Sequence, residues 1–477
     1  MNKNRRQALK AALLLTSPWL TAGRATRADE STSSTKTGQT VVVIGAGMAG
    51  LAAAQRLQAG GYKVIVVEGR HRAGGRMWTD YSLGTAVDLG AAWIHGDAAR
   101  NPLMKMVKQY DLSTTATDWD ETWLYDHSYG ELEDETYDTI IRKSEQIIER
   151  LYEEQSTAPI GRSMADALTP ILKGLSGDPI VQRGVRWWLA SLIEVEYAAN
   201  FDQLSLKYWN VDEAYDGHDV IIKGGYQKIV ERLVQGLDIR YGHVVRQIDI
   251  STSGSLVTTN QGVIECGQAV VTLPLGVLKQ GKIKFNPKLP DEKVASIERI
   301  GMGVMNKIVL EFKDRFWPED ASCLGLLKKS TDDLTEFMPM TPYTGKAVIV
   351  GFTRGRHASS VEKMSNEDVI EAALSDLRSM FGSRVPQNIA GSVVTRWHSD
   401  EFSKGSYSCI SPGSSFSDYK TLARPIDNRI FFAGEATHAM YLGTVHGAYL
   451  SGERAANEIM QSMSGGNHTT DTSDSNR

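Results

Sequence analysis

Six residues near the start of the chain have a spacing suited to the phosphates of a nucleotide. Gly45-Ala46-Gly47-Met48-Ala49-Gly50 places glycines where a tight turn, a close backbone approach to a pyrophosphate and a close helix–strand contact each require one. Glu68 follows 18 residues after Gly50. Its carboxylate can accept hydrogen bonds from both hydroxyls of a ribose and would repel a 2′-phosphate. These residue types at this spacing predict a dinucleotide site.

The elements around this motif are those that such a site needs. Thr40–Ile44 is a β-branched run typical of a strand buried on both faces of a parallel sheet. The alanine-rich Leu51–Gln58 predicts a helix that ends at Gly60, and Lys63–Val67 predicts a second strand. Together they form a βαβ unit, in which the helix N-terminus offers N–H groups and a partial positive charge to the phosphates.

A second glycine-rich turn, Gly69–Arg76, comes directly after Glu68. Gly74 and Gly75 allow close backbone approach, and Arg76 can pair with a phosphate. Because this turn extends the anionic site along a longer cofactor, it favours FAD over NAD.

The composition excludes several other classes of protein. The chain has 477 residues, of which 41% are apolar and 23% charged, so a disordered, collagen-like or coiled-coil chain is excluded. Cys266, Cys323 and Cys409 are too few and too scattered for a disulfide framework or a zinc cluster, and no metal site is expected. Since no apolar run reaches about 18 residues, no stable membrane insertion is expected either.

The first residues have the pattern of an export signal. Four basic residues precede the short, mostly apolar stretch Ala11–Leu20. The pattern predicts a signal peptide over residues 1–28, of the twin-arginine type because Arg5 and Arg6 are adjacent, and a Ser/Thr-rich linker over 29–39. We therefore expect the twin-arginine machinery to export the folded protein to the periplasm or the outside. The alternative is an uncleaved leader or anchor.

Removal of this segment would leave an acidic protein. Residues 1–28 hold six Lys or Arg and no Asp or Glu, so the formal net charge falls from −5 to −11. Such a charge argues against nucleic acid as a partner and favours cationic ones.

Four stretches of the chain resemble the flavin-dependent amine oxidases, which include polyamine and spermine oxidases, monoamine oxidases and flavin histone demethylases. They are Val41–Thr79, Asp88–Gly96, Leu237–Ile248 and Phe431–Ala456. The resemblance runs from about Thr40 to Met460 and so covers nearly all of the chain after the export signal.

The resemblance implies an α/β fold in which a Rossmann-like FAD-binding domain is interleaved with an α+β substrate-binding domain. The FAD-binding domain would comprise residues 40–100, 219–298 and 395–460. The substrate-binding domain would comprise residues 101–218 and 299–394. The polar residues 461–477 predict a disordered tail.

The family's cofactor is FAD, and the resemblance implies which residues here contact it. Glu435 matches a glutamate near the ribityl chain or the pyrophosphate, and Val245 would lie beside the adenine. The full implied set is Gly45, Gly47, Ala49, Gly50, Glu68, Arg70, Gly75, Arg76, Ala92, Trp93, Val245, Trp397, Gly434, Glu435, Thr444 and Val445. Ser406 stands where monoamine oxidases have the cysteine that attaches the flavin, so the FAD is expected to be non-covalent.

Two residues are implied to be catalytic. Lys307 matches a family lysine that holds a water at the flavin N5, and His95 matches a histidine near the substrate amine of polyamine oxidases. An imidazole that titrates near neutrality can help to place or deprotonate an ammonium. Taken without the resemblance, Lys307 would be a lysine at a strand edge and His95 a structural histidine.

Five residues are expected to bind substrate. Trp397 and Tyr407 would line the flavin face, and Thr444 occupies the second aromatic position of a sandwich that some plant members have. The sandwich is therefore incomplete here. Glu194 and Glu196 are predicted to share one face of an extended segment and to pair with a distal ammonium; the alternative is a solvated acidic pair.

The resemblance implies an oxidase of amines, most directly of polyamines such as spermine and spermidine. Hydride would pass from the neutral amine to FAD, the imine would be hydrolysed to an aldehyde and an amine, and dioxygen would reoxidise the flavin to give hydrogen peroxide. The alternatives are an L-amino-acid oxidase or a monoamine oxidase of the same fold, a flavin desaturase or porphyrinogen oxidase, and a flavoprotein scaffold without turnover. An L-amino-acid oxidase needs an arginine for the substrate carboxylate, and the turn Gly90–His95 has none before Arg100.

Overall fold

A computed structural model describes residues 39–251, 253–329 and 335–464. The predicted signal peptide, the linker up to residue 38 and most of the predicted tail lie outside the described residues. The last helix continues to Ser464, so the tail prediction is wrong for residues 461–464.

A five-stranded parallel sheet carries the predicted dinucleotide motif. In spatial order its strands are Asp238–Tyr241, Lys63–Glu68, Thr40–Ile44, Gln268–Val271 and Ile430–Phe432. Val41, Val42 and Val43 are fully buried in its central strand, as the β-branched run predicts. Helix Met48–Ala59 leaves this strand at the glycine motif, and the last helix, Val445–Ser464, packs against it. A Cβ on Gly452 would lie only 2.2 Å from the Ala49 carbonyl oxygen, so the glycine is what allows this close packing.

A seven-stranded mixed sheet forms the opposite wall of the molecule's central cavity. In spatial order its strands are Gly391–Val394, Met305–Glu311, Val348–Arg354, Thr335–Pro339, Cys323–Leu327, Thr122–Asp126 and Gly130–Glu131. Ile308 and Leu310 face the helix Asn366–Phe381 and share a core with it. Because side chains alternate along a strand, Lys307 and Val309 face the other way.

Four smaller sheets complete the strands that the structure describes. They are Gly262–Cys266, Ser255–Thr259, Val245–Ile250 and Lys284–Asn286; Gly301–Gly303 with Tyr407–Cys409; Thr79–Asp80 with Val87–Asp88; and Trp93–Ile94, Val220–Ile222 and Thr114–Ala116. The turn at Gly90 joins two of these short sheets, because it runs from strand Val87–Asp88 to strand Trp93–Ile94. Ile94 packs in the core of the parallel sheet, whereas Val87 packs against the seven-stranded sheet.

The remaining described elements are helices. The α-helices are Met48–Ala59, Pro102–Gln109, Asp134–Thr157, Met164–Lys173, Pro179–Leu189, Val195–Tyr197, Gln227–Leu233, Leu275–Lys279, Asp291–Arg299, Thr341–Thr344, Gly355–Val361, Asn366–Phe381, Phe416–Ala423 and Val445–Ser464. Ala190–Glu194 is a π-helix, and Phe201–Gln203, Gly382–Arg384 and Glu435–Thr437 are 3₁₀ turns. None of the helices in the described parts of the chain combines the length and apolarity that a bilayer span requires.

The predicted α/β fold class is confirmed by the two large sheets and their helices, whereas the domain boundaries stay a prediction. One segment packs differently from its assignment. Helix Pro102–Gln109, which the resemblance placed in the substrate-binding segment 101–218, contributes Leu103, Met106 and Val107 to the core of the parallel sheet.

Candidate active site

The large cavity between the two sheets holds the predicted site residues. Its volume is about 440 Å³, and its walls include the glycine motif, the turn at Gly90 and strand Met305–Glu311. Every residue assigned to the cofactor, to catalysis or to substrate lines it except Gly50 and Glu194. Both exceptions have structural reasons.

The glycine motif has the geometry that its spacing predicts. Gly45 has a φ of +106°, which favours glycine. A Cβ on Gly50 would lie 1.9 Å from the Gly45 carbonyl oxygen, so Gly50 serves the helix–strand contact and not the cavity wall. At Gly47, by contrast, no described atom outside its chain neighbours lies within 4 Å of a Cβ position, and the residue lines the cavity.

Glu68 lies at the end of the second strand, beside the glycine motif. The Ala46 N–H donates to its Oε2 at 2.8 Å, and the Arg70 N–H donates to its Oε1 at 2.8 Å. Each carboxylate oxygen therefore keeps a lone pair that can accept a ribose hydroxyl. The two bonds from backbone N–H groups hold the carboxylate in place and leave it able to accept further hydrogen bonds.

The arginines of the second glycine turn are paired with carboxylates. The Arg76 guanidinium donates to Glu435 Oε1 at 2.9 Å and to the Ser406 carbonyl at 2.7 Å. The Arg70 guanidinium makes a bidentate pair with Asp400. These contacts join the turn to segments more than 300 residues away along the chain.

Glu435 is the centre of this network. Its Oε2 accepts the Ser408 hydroxyl at 2.6 Å and the Gly443 N–H at 3.1 Å, while Oε1 pairs with Arg76. Only 5% of the residue is exposed. The glutamate therefore orders the walls of the cavity.

These residues fit FAD. The open approach at Gly47, the helix N-terminus without a side-chain cap and the ribose-accepting oxygens of Glu68 suit a pyrophosphate and its adjoining ribose. The Ser406 hydroxyl accepts a hydrogen bond from the Met305 N–H at 2.8 Å and donates one to the Met305 carbonyl at 2.9 Å. Serine cannot form the thioether of monoamine oxidases, which supports a non-covalent cofactor.

Lys307 points into the cavity from the seven-stranded sheet. Its Nζ donates to the carbonyl oxygens of Asp88 at 2.7 Å and Gly90 at 2.8 Å. Burial lowers the pKa of this ammonium to about 8, and the neighbouring Asp88 carboxylate opposes that shift. Two of its three N–H groups are used by described residues, and the third is available to a water or a substrate.

A continuous set of backbone contacts connects Lys307 to the phosphate end. The Ala91 N–H donates to the Arg76 carbonyl at 3.1 Å. A Cβ on Gly90 would lie 1.8 Å from that carbonyl oxygen, so only glycine fits. The turn at Gly90 thus holds the Lys307 ammonium on one side and the second glycine turn on the other.

His95 lines the same end of the cavity. Its Nδ1 lies 3.0 Å from Asp219 Oδ1, and the Trp119 Nε1–H donates to Asp219 Oδ2 at 3.2 Å. The carboxylate favours the tautomer with hydrogen on Nδ1, which leaves Nε2 as the nitrogen that can accept a proton. Asp219 and Trp119 were not identified from the sequence because nothing local distinguishes them.

Aromatic residues enclose the space around Lys307. The Trp93 ring lies 5.7 Å from Lys307 Nζ, 5.5 Å from the Trp119 ring and 6.4 Å from the Phe352 ring. Trp397 donates its indole N–H to the Leu89 carbonyl at 3.1 Å. These walls exclude water and present ring faces that attract cations.

Tyr407 and Thr444 line the cavity as predicted, but their hydroxyls are engaged. The Tyr407 hydroxyl donates to the Val195 carbonyl at 3.0 Å. The Thr444 hydroxyl accepts the Gly447 N–H at 3.0 Å and donates to the Tyr441 carbonyl at 2.8 Å. Thr444 therefore caps the last helix at its N-terminus.

The prediction for Glu194 is wrong. The segment is not extended: it continues helix Pro179–Leu189 through a π-helix to Tyr197. Residues two apart on a helix point about 200° apart, so Glu194 and Glu196 face opposite ways. Glu196 lines the cavity, whereas Glu194 is buried in an ion pair with Arg354 and accepts the Phe201 N–H at 2.9 Å.

Comparison with known proteins identifies the family. Residues 48–460 match the family described as flavin containing amine oxidoreductase. The chain belongs to this family.

Its relatives include plant enzymes. Polyamine oxidase 2 of Arabidopsis thaliana is 36% identical over 437 residues, which cover 88% of this oxidase and 87% of the relative. Lysine-specific histone demethylase 1 homolog 2 of the same plant is also 36% identical, over 88% of this oxidase but 58% of the demethylase. The oxidase is thus an FAD-dependent enzyme that acts on amines.

A solved structure shows the same fold at lower identity. A putrescine oxidase with redesigned cofactor binding superposes with a TM-score of 0.71 at 20% identity, over 89% of this oxidase and 99% of that chain. At this identity the similarity supports the amine oxidase fold alone.

The buried pair of Glu194 and Arg354 gives a first testable prediction. Glu194→Gln leaves the Arg354 charge buried without its partner, which should lower the free energy of unfolding by about 3–5 kcal/mol. Thermal unfolding of the FAD-loaded protein measures this loss. Glu196→Gln is the matched control, because it removes an acid of the same segment from the cavity wall. Equal melting temperatures for Glu194→Gln and the wild type would contradict the structural role of Glu194.

Proposed function

We propose that this oxidase acts on polyamines. The observation that carries the proposal is the charge of the cavity around the substrate end, where five carboxylates line the wall. They are Glu196, Asp212, Glu213, Asp219 and Glu336. Such a wall attracts substrates with more than one positive charge and repels carboxylates. The polyamine oxidases among the relatives agree with this assignment.

The arginines of the cavity argue against an L-amino-acid oxidase. Arg70 and Arg76 are the arginines among the described lining residues, and each is paired with a carboxylate. Arg100, the next arginine after the turn at Gly90, does not line the cavity; it pairs with Asp216, and both side chains are mostly exposed. No described arginine is therefore left to hold a substrate carboxylate.

The chemistry requires a neutral amine, and His95 can act as the base that removes a proton from the bound ammonium. An amine gives up hydride from its α-carbon only when its nitrogen lone pair is free, so a bound ammonium must first lose a proton. His95 accepts that proton at Nε2, and Asp219 stabilises the resulting imidazolium. When bound, FAD would supply the hydride acceptor and the two electrons that reduce dioxygen to hydrogen peroxide.

Lys307 and the aromatic residues around it form the end of the cavity where the amine is oxidised. The Asp88 and Gly90 carbonyls fix the ammonium of Lys307, whose third N–H can hold a water or a polar group of the substrate. Trp93, Trp397 and Phe352 keep bulk water away from the same space. The chain thus supplies orientation, a proton acceptor and a dry site.

A peroxide-coupled screen of the purified holoprotein tests the proposed function. We expect spermine and spermidine to give the highest kcat/KM, simple monoamines to be oxidised less efficiently and L-amino acids to give no peroxide. Preference for a monoamine over every polyamine would contradict the assignment, and peroxide from L-amino acids alone would replace it with the amino-acid oxidase. A flavin that no amine reduces would support the scaffold alternative.

We also propose that the oxidase is exported in a folded state. The support is the pattern of residues 1–28, with Arg5 and Arg6 before a short apolar stretch. A route for folded proteins suits a chain that binds a cofactor between two sheets, because its cavity exists only after folding.

Replacement of Arg5 and Arg6 by Lys tests this route. The pair of Lys keeps the charge but removes the twin-arginine feature, so the holoprotein should accumulate in the cytoplasm. Fractionation of a bacterial host that has the twin-arginine machinery measures the distribution of oxidase activity. The same activity outside the cytoplasm before and after the replacement would reject the route.

A further inference from the structure

Three residues form a row across the seven-stranded sheet on its cavity side. Lys307 lies opposite Phe352 in the pairing of neighbouring strands. The strand that carries Phe352 also pairs with strand Thr335–Pro339, where Phe337 lies opposite Gly351. This register places Glu336 opposite Phe352. Residues directly opposite each other in an antiparallel pair share a face, and all three residues line the cavity. Two strand spacings, about 10 Å, separate the backbones of Lys307 and Glu336.

The row ends at Glu336. The residue opposite it on the next strand is Gly325. A Cβ on Gly325 would lie 2.3 Å from the Trp187 ring, so that ring occupies the next place in the row. Trp187 is buried and is not part of the cavity wall. Among the described residues, Glu336 is therefore the last polar side chain of this row.

Glu336 is a buried carboxylate with one bond among the described residues. Only 6% of it is exposed. The Ser191 hydroxyl donates to its Oε2, and no described N–H, hydroxyl or cation pairs with its Oε1. A buried carboxylate without a cation is costly. Such a group in a cavity wall is a candidate for binding a cationic ligand.

Ser191 reaches Glu336 because of a local irregularity. It lies in the π-helix Ala190–Glu194 and itself lines the cavity. Short π-helical turns are frequent at functional sites, since the wider turn changes the direction in which side chains point. Here the wide turn brings a hydroxyl to the carboxylate and fixes one of its oxygens.

We infer that Glu336, oriented by Ser191, binds the substrate ammonium that lies farthest from the oxidised carbon. The inference rests on the proposed function and adds a determinant of specificity to it. The amine to be oxidised lies at the Lys307 end of the row, its carbon chain lies over the Phe352 ring, and the second ammonium pairs with Glu336. The contact is charge-assisted and desolvated, so it favours diamines and polyamines over monoamines.

Binding measurements without turnover test this role. The holoprotein is reduced beforehand with dithionite under anaerobic conditions, and diaminoalkanes from diaminobutane to diaminooctane are titrated calorimetrically. Each is compared with the alkylamine of the same chain length. We expect the wild type to bind the diamine more tightly at the chain length that spans the row. Glu336→Gln should reduce that preference at least tenfold, or about 1.4 kcal/mol, while alkylamine binding stays the same.

Two further variants separate this role from a structural one. Ser191→Ala should reduce the preference less than Glu336→Gln, because it removes only the orienting bond. Glu371→Gln removes an exposed acid from the helix behind the same sheet, where Glu371 pairs with Arg378, and should leave both affinities unchanged. Thermal unfolding confirms that each variant is folded.

The outcomes distinguish the inference from the proposed function. Equal losses for diamines and alkylamines in Glu336→Gln, or an unchanged preference, would overturn the role of Glu336 even if polyamines are oxidised. A wild type that binds neither class of amine would overturn the proposed function and the inference together. If another acid binds the ammonium, Glu196→Gln will remove the preference and Glu336→Gln will not.

Discussion

The buried ammonium of Lys307 is the contact on which the arrangement of the site depends. It extends from the seven-stranded sheet and bonds the carbonyls of Asp88 and Gly90, while the turn at Gly90 contacts the second glycine turn through Arg76. One side chain thus fixes the distance between the wall that holds substrate and the turns that hold FAD. Its lowered pKa reflects the cost of keeping a charge in this buried position.

Charge is distributed differently in the two halves of the cavity. On the cofactor side, both lining arginines pair with carboxylates, Arg76 with Glu435 and Arg70 with Asp400. On the substrate side, the carboxylates outnumber the cations, and Glu336 has no described cationic partner. The first arrangement gives rigid walls. The second leaves negative charge for a substrate to neutralise, which is the physical basis of the proposed preference for polyamines.

Local sequence patterns predict those parts of the fold in which the apolar residues follow one clear pattern along the segment. Strand Thr40–Ile44 has the bounds expected of it, and the predicted strand Lys63–Val67 is extended only by Glu68, because each is a clear apolar run between strong end signals. Glu68 and the glycine motif also have their predicted geometry. Gly50 is required by its contact with Gly45, and Glu68 is held by Ala46 and Arg70, so these contacts all lie within the βαβ unit and the turn that follows it.

The errors and omissions have a common cause in long-range structure. The prediction for Glu194 and Glu196 assumes an extended segment, in which alternate side chains share a face. The apolar run before them instead continues as a helix with a π-helical turn, so the two carboxylates point in opposite directions. Glu336 was missed because its role depends on the register of three strands distant in sequence. Asp219 was missed for the same reason, since only the fold brings it to His95.

Rapid-reaction kinetics of Lys307→Met tests the central role of this ammonium most directly. Burial lowers the pKa of Lys307 to about 8, so the group is charged below that pH and neutral above it. The wild type should therefore show a change in turnover near pH 8 that is absent in Lys307→Met. The variant should also turn over at least tenfold more slowly, or about 1.4 kcal/mol in the barrier, with little change in diamine affinity.

Lys313→Met is the matched control, because Lys313 is exposed just beyond the end of the same strand. Flavin reduction by spermine is followed anaerobically, and its reoxidation is followed after mixing with oxygen. Lys307→Met should slow at least one of these steps and lose the transition near pH 8, while Lys313→Met should do neither. Wild-type rates in both steps, with the pH transition retained in Lys307→Met, would show that Lys307 only supports the fold.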